Sequence, residues 1–205
     1  MVSRVSQKMR GTPHRSKKPM ILFGVEGNNK TEKQYFMQCG RMQDKFIIRW
    51  ARGNETDPVG IVTNIKNEIQ KIEFQQNDKA FAIFDVDMNT SKVPVIQQAR
   101  ELAKKQNIEL ILSNPCFEVW FVLHFEETMA PYDSNSKVID RLKQYVHDYE
   151  KSADIFSKIR ENMLEAVSRA ENLRVYHDQN GTISLSDQNP MTEVDRVVKL
   201  LVVTS

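Results

Sequence analysis

Cysteine is scarce in this chain of 205 residues: Cys39 and Cys116 stand far apart and make no metal-spaced cluster. They suit a reducing cytoplasm, with neither expected to be bridged. No apolar run approaches the roughly 20 residues that would span a membrane. No apolar segment near the N-terminus reads as a secretory signal, so a cytoplasmic location without membrane contact is expected. Internal repeats and low-complexity tracts are missing too. Acid is missing from one place in particular. Residues 1–19 hold Arg4, Lys8, Arg10, Arg15, Lys17 and Lys18 and no Asp or Glu, although the whole chain carries only +2. The rest therefore has 23 basic against 27 acidic residues. A basic tail ahead of a mildly acidic body points to a polyanion, or else to a solvated leader.

What is present is 40% hydrophobic and 27% charged, an ordinary globular balance. Met20 to Val25, Phe46 to Trp50, Phe81 to Phe84 and Ile108 to Leu112 read as strands. Helical spacing lies between and after them: 31–40, 59–74, 95–106, a helix entered at Asn114-Pro115, one marked by Val138, Leu142 and Val146, a long one over 154–176, and a last one from Thr192. Thr31 is a candidate cap with Gln34 completing a capping box, Gly40 a candidate stop, and Asn114 a cap with Pro115 in the first helical position. The alternation argues for an α/β fold: a parallel sheet of about four strands covered on both faces, with a C-terminal helical extension. The expected organisation is a basic, flexible tail over 1–19, a core over 20–130 and a helical extension over 131–205.

The pivotal stretch is Phe81-Ala82-Ile83-Phe84-Asp85-Val86-Asp87. Alternate residues of a strand point the same way, so Asp85 and Asp87 converge if the strand continues one step past its apolar part. Two such carboxylates repel unless a cation lies between them, and Mg²⁺ or Mn²⁺ takes oxygen ligands of this kind. An acidic, solvated turn is the bland alternative. In a parallel sheet the C-terminal strand ends share one rim, where open α/β sheets bind ligands. Glu26, Asp85, Asp87 and Glu118 all lie just beyond strand ends, and can gather there into one acidic site. Glu118 alternatively caps its own helix. A P-loop is rejected at the first turn. Gly24 and Lys30-Thr31 fit its pattern, but Asn29 replaces the second glycine and Glu26 puts negative charge where phosphates would lie.

Several blocks resemble the RloB-like family: Glu26-Gly27 through Thr31-Glu32 with Tyr35-Phe36; Asp85-Val86-Asp87; Ser113-Asn114-Pro115-Cys116-Phe117-Glu118-Val119-Trp120 with Leu123-His124-Phe125; and Asn189-Pro190-Met191-Thr192 with Val194. They occur in order between residues 20 and 200. The resemblance implies a Toprim-like core and a metal-dependent nuclease of an antiviral, abortive-infection system, working beside an ATPase partner. Glu26 would be general acid or base and share the metal, and Asp85 and Asp87 would bind Mg²⁺ or Mn²⁺. Glu118 would complete a second site, Lys30 would hold a phosphate oxygen, and His124 would orient a ligand or the leaving group, unless it is a buried structural histidine. The substrate would be DNA or RNA, and homo-oligomerisation stays open. A haloacid-dehalogenase-type phosphatase is unlike it: Asp85-Val86-Asp87-Met88-Asn89-Thr90 puts threonine one place late, after the third strand rather than the first. A non-enzymatic nucleic-acid-binding or regulatory subunit is the alternative.

Overall fold

A computed structural model describes residues 17–27, 30–87, 90–151 and 153–203. Buried apolar runs form its strands: β1 (Met20–Val25), β2 (Ile47–Trp50), β3 (Lys79–Asp85) and β4 (Glu109–Asn114), with a two-residue β5 (Met191–Thr192). The sheet order is β2-β1-β3-β4-β5, parallel through β4, with β5 antiparallel at the far edge. The α/β reading with a mostly parallel sheet therefore holds, with one strand more than expected. Met191–Thr192 is too short to carry a period-2 pattern, and the helix expected from Thr192 begins at Val194.

The helices are α1 (Lys30–Gln43), α2 (Pro58–Lys71), α3 (Lys92–Lys105), α4 (Glu118–Val122), α5 (Asn135–Lys143), α6 (Phe156–Ile159), α7 (Met163–Gln179) and α8 (Val194–Val198). A π-helical turn, Lys199–Val203, continues α8. Asp57 starts α2 by accepting from the Gly60 amide at 2.9 Å, with Pro58 at the first turn. The stripe expected as one helix over 154–176 is interrupted: the exposed polar triplet Arg160–Asn162 tightens into a 3₁₀ turn between α6 and α7. Thr31 is not a cap, because α1 already begins at Lys30; the residues before it, 28–29, lie outside the described residues. Gly40 does not stop α1 either. It sits inside the helix where a Cβ would collide with the Ile48 side chain, so its smallness lets α1 approach β2.

The two sheet faces bury separate cores. Leu22, Ala82 and Phe84 pack with Ile61 and Ile65 of α2 and Ile96 and Ala99 of α3. Ile21, Phe23 and Ile83 pack with α1 and α4 to α8 through Phe36, Trp120, Phe121, Leu142, Ala166 and Val197. The expected C-terminal helical extension packs on the sheet: α5 to α8 share the core of β1, and β5 joins the sheet beside β4. Of the expected basic tail, residues 1–16 lie outside the described residues, while Lys17 and Lys18 pair with Glu73 and Asp44. No described helix is long and apolar enough to cross a membrane.

Candidate active site

The chain leaves β1 toward β2 on one side, and later enters β3 and β4 on the other. The C-terminal ends of β1 and β3 therefore flank the point where strand order reverses, the place where open α/β sheets form a crevice. Glu26 follows β1 directly. Gly27 turns the chain with φ +49°, and its amide donates to the Glu55 carbonyl at 2.7 Å, tying this turn to the loop after β2. Asp85 is the last residue of β3.

The strand does not continue to Asp87, contrary to the expected alternation. Val86 turns into the α2/α3 core, its amide donating to the Ser113 carbonyl at 2.9 Å. Asp87 takes a left-handed φ of +59°, with its amide on the Pro115 carbonyl at 3.1 Å. What joins these acids is Lys92, in the first turn of α3. Its ammonium donates to Glu26 Oε1 at 2.7 Å, Asp87 Oδ2 at 2.5 Å and the Asp85 carbonyl at 2.8 Å. The Asn135 amide holds the other oxygen of Asp87 at 3.1 Å. Burial acts to lower the Lys92 pKa, but its bonds to Asp87 and Glu26 outweigh that and raise it. Glu26 is raised, because burial outweighs the attraction of Lys92.

Behind this cluster lies a more buried set of acids. Glu118 opens α4 and is 2% exposed; it accepts from the Tyr149 hydroxyl at 3.1 Å and faces Lys151 at 3.8 Å. Glu32, in the first turn of α1, is pushed up to about 7, by burial first and then by Glu118. The Asp85 carboxyl is driven well above the usual carboxylate range by burial, with Glu32 and Glu118 the acids that press on it hardest. Burial depresses Lys151, but Glu118 and its neighbours more than compensate, so it stays charged.

Glu26, Asp85, Asp87 and Glu118 are therefore placed around the β1/β3 crevice. Lys30 and His124 are not brought into that hydrogen-bonded cluster. Lys30 is exposed at the start of α1. His124 is buried edge-on against Trp120, its Nδ1–H donating to the Trp120 carbonyl at 2.9 Å, and burial lowers its pKa to about 4. Its surroundings are those of the structural histidine. Asn114 caps nothing: β4 runs through it, and its amide group reaches the carbonyls of Leu185, Ser186 and Gln188 at 2.8, 3.3 and 2.9 Å, anchoring the loop before β5.

Sequence reasoning missed Lys92, Glu32, Tyr149 and Lys151. Glu32 had a readable signal, since it lies on the buried stripe of α1 with Tyr35, Phe36 and Cys39. Lys92 and Lys151 had none. The donors here are the hard oxygens that Mg²⁺ or Mn²⁺ takes, and three of them already surround one positive charge. That charge is an ammonium. Among the described residues, no three His, Cys, Asp or Glu side chains are assembled so as to hold an ion together. The residues thus suit a divalent ion in kind, once Lys92 withdraws.

A family model described as RloB-like protein matches residues 21–201, nearly all of the described chain. No curated protein and no solved structure matches it. The chain belongs to the RloB-like family.

Proposed function

We propose that this chain is a divalent-metal-dependent nuclease whose phosphodiesterase centre is the crevice between β1 and β3. The observation that carries the reading is the convergence of Glu26, Asp87 and the Asp85 carbonyl on one cationic nitrogen, beside an Asp85 carboxyl whose pKa burial raises. Glu26, Asp85 and Asp87 would hold Mg²⁺ or Mn²⁺. Such an ion neutralises phosphate charge and lowers the pKa of an attacking water. Glu26 is suited to move the proton, since its raised pKa lies nearer the working pH. Lys92, released from its carboxylates, becomes a point charge for a phosphate oxygen, the role expected of Lys30. Glu118, fixed by Tyr149 and Lys151, supplies a further carboxylate behind the first three. The antiviral role and the ATPase partner rest on the family resemblance alone.

The test is cleavage of plasmid, single-stranded DNA and transfer RNA with Mg²⁺, Mn²⁺ or EDTA. Wild-type protein should cut at least one substrate in a divalent ion and none in EDTA. Asp85→Asn and Glu26→Gln should abolish cutting while unfolding remains cooperative. Cutting that survives either substitution removes the proposed mechanism. The seating of Lys92 between two carboxylates favours a second reading, a nucleic-acid-binding subunit without catalysis. It predicts binding that Asp85→Asn leaves intact and no cleavage by the wild type with any ion.

A further inference from the structure

A cleft of about 470 Å³ opens at the end of the sheet opposite the acidic rim. It is lined by Lys17, Lys18, Arg49 and Lys71, with Glu73 and the buried Asp78 among them, over a floor of Met20, Ile47 and Ile72. A second cleft, of about 340 Å³, shares Arg49 and Ile72 with it and adds Glu68 of α2 and Arg52, just beyond the end of β2. The two are continuous because of how the sheet is covered. The register puts Ile47 beside Met20 and Arg49 beside Leu22, so both face the side on which α2 packs. α2 lies across β1 and β3 and leaves edge strand β2 open. Ile47 is consequently 45% exposed on a sheet face, and Arg49 is exposed beside it.

The five basic side chains of the groove stand against three acids, Glu68, Glu73 and Asp78, and Lys71 is paired with Glu68 at 3.6 Å, so its available positive charge is that of the two arginines. Among the described residues, neither Arg49 nor Arg52 has an ion pair. Lys17 and Lys18 pair only with exposed acids, which hold them weakly. The upper end of the groove leads to the active site: after Arg52 the loop reaches Glu55, whose carbonyl holds the Gly27 amide beside Glu26.

We infer that this groove is a track for single-stranded nucleic acid, running along β2 from Lys17 and Lys18, past Arg49 and Arg52, to the crevice that holds Glu26. Phosphates lie against the arginines and lysines, and bases lie on the aliphatic floor of Met20, Ile47 and Ile72, so binding is mainly electrostatic and carries no sequence preference. The track rests on the nuclease reading for its purpose but not for its test.

The measurement is fluorescence anisotropy of labelled oligothymidylate and oligouridylate in EDTA, where no cleavage intervenes, over about 50 to 200 mM salt. Arg49→Glu/Arg52→Glu should weaken binding at least about tenfold at the low end and flatten the log–log salt slope by about 1.4, two contacts at about 0.7 each. Arg160→Glu, on the opposite face, should change neither. Both groove arginines are exposed, so the fold should persist. If the reversal does not fold, Arg49→Gln/Arg52→Gln removes the same contacts and is read the same way. The track is overturned if affinity and slope match the wild type, if polyglutamate competes as well as oligonucleotide, if a duplex binds tighter than a single strand, or if the wild type binds neither oligomer. Unchanged binding leaves the nuclease reading standing; cleavage that survives Asp85→Asn ends that reading and leaves the track standing.

Discussion

Replacing Lys92 with methionine asks most directly whether the crevice is a cation seat. The substitution keeps an unbranched stem and deletes the ammonium that touches Glu26, Asp87 and the Asp85 carbonyl. Breaking a fully buried ion pair costs about 3–5 kcal/mol, whereas an exposed pair is worth about 0–1 kcal/mol. The side chains of Lys92, Glu26 and Asp87 are 16%, 19% and 37% exposed, so this site lies between those limits. With the Asp87 share discounted for solvent screening, the loss should be about 2 kcal/mol in EDTA, read by urea denaturation. A divalent ion no longer competes with the ammonium in the variant. Mn²⁺ at a hundredfold excess over its dissociation constant would return about 2.7 kcal/mol, enough to offset the loss. Stabilisation by Mn²⁺ should therefore be larger in Lys92→Met than in the wild type. Equal stability of the two proteins in EDTA would show that the ammonium holds nothing in place. Destabilisation without a Mn²⁺ response would show that the oxygens do not form a metal seat.

Three other perturbations test the surroundings of the site. Glu32, raised from 4.5 to about 7, binds a proton in the folded chain that it loses when unfolded, so stability should fall as pH rises from about 4.5 to 7 and then level off. The full drop is about 3 kcal/mol, and Glu32→Gln should flatten it in denaturation curves taken across that range; a wild-type curve rising over the same interval contradicts the protonated state. His124→Phe should cost about 1 kcal/mol, because the Trp120 carbonyl loses its donor, and should leave cleavage rates unchanged; a rate loss at full stability would return His124 to the reaction. Asn114→Ala removes the donor to three carbonyls of the 185–188 loop and should cost about 2 kcal/mol, with faster hydrogen exchange in that loop; exchange unchanged there would mean the loop is held by other contacts.

The legible parts of this chain are those fixed by neighbours in sequence. β1, β3 and β4 announce themselves as apolar runs because both faces of a covered sheet are dry. Parallel strands then force Glu26, Asp85 and Glu118 toward one rim without any knowledge of strand order. Strand order itself was not legible, since β2 and β3 both pair with β1 and only the packing of α1 and α2 on opposite faces sets which side each takes. The same limit hid the groove, whose existence depends on where α2 stops covering the sheet. It also hid the positive charges of the site. Two carboxylates at the end of a buried run signal a need for compensating charge, but not its source. Lys92 follows Asp87 by five residues and Lys151 comes from a distant loop, and nothing in the sequence around either one distinguishes it from the chain's many solvent-facing lysines. The expected alternation through Asp87 failed for a related reason. Val86 gains more by entering the α2/α3 core than the strand gains by one more residue of pairing, so the chain turns left-handed at Asp87 and its carboxylate reaches Lys92. The acids of the crevice can thus be read from their positions along the chain, while the charge that balances them is set by how its layers stack.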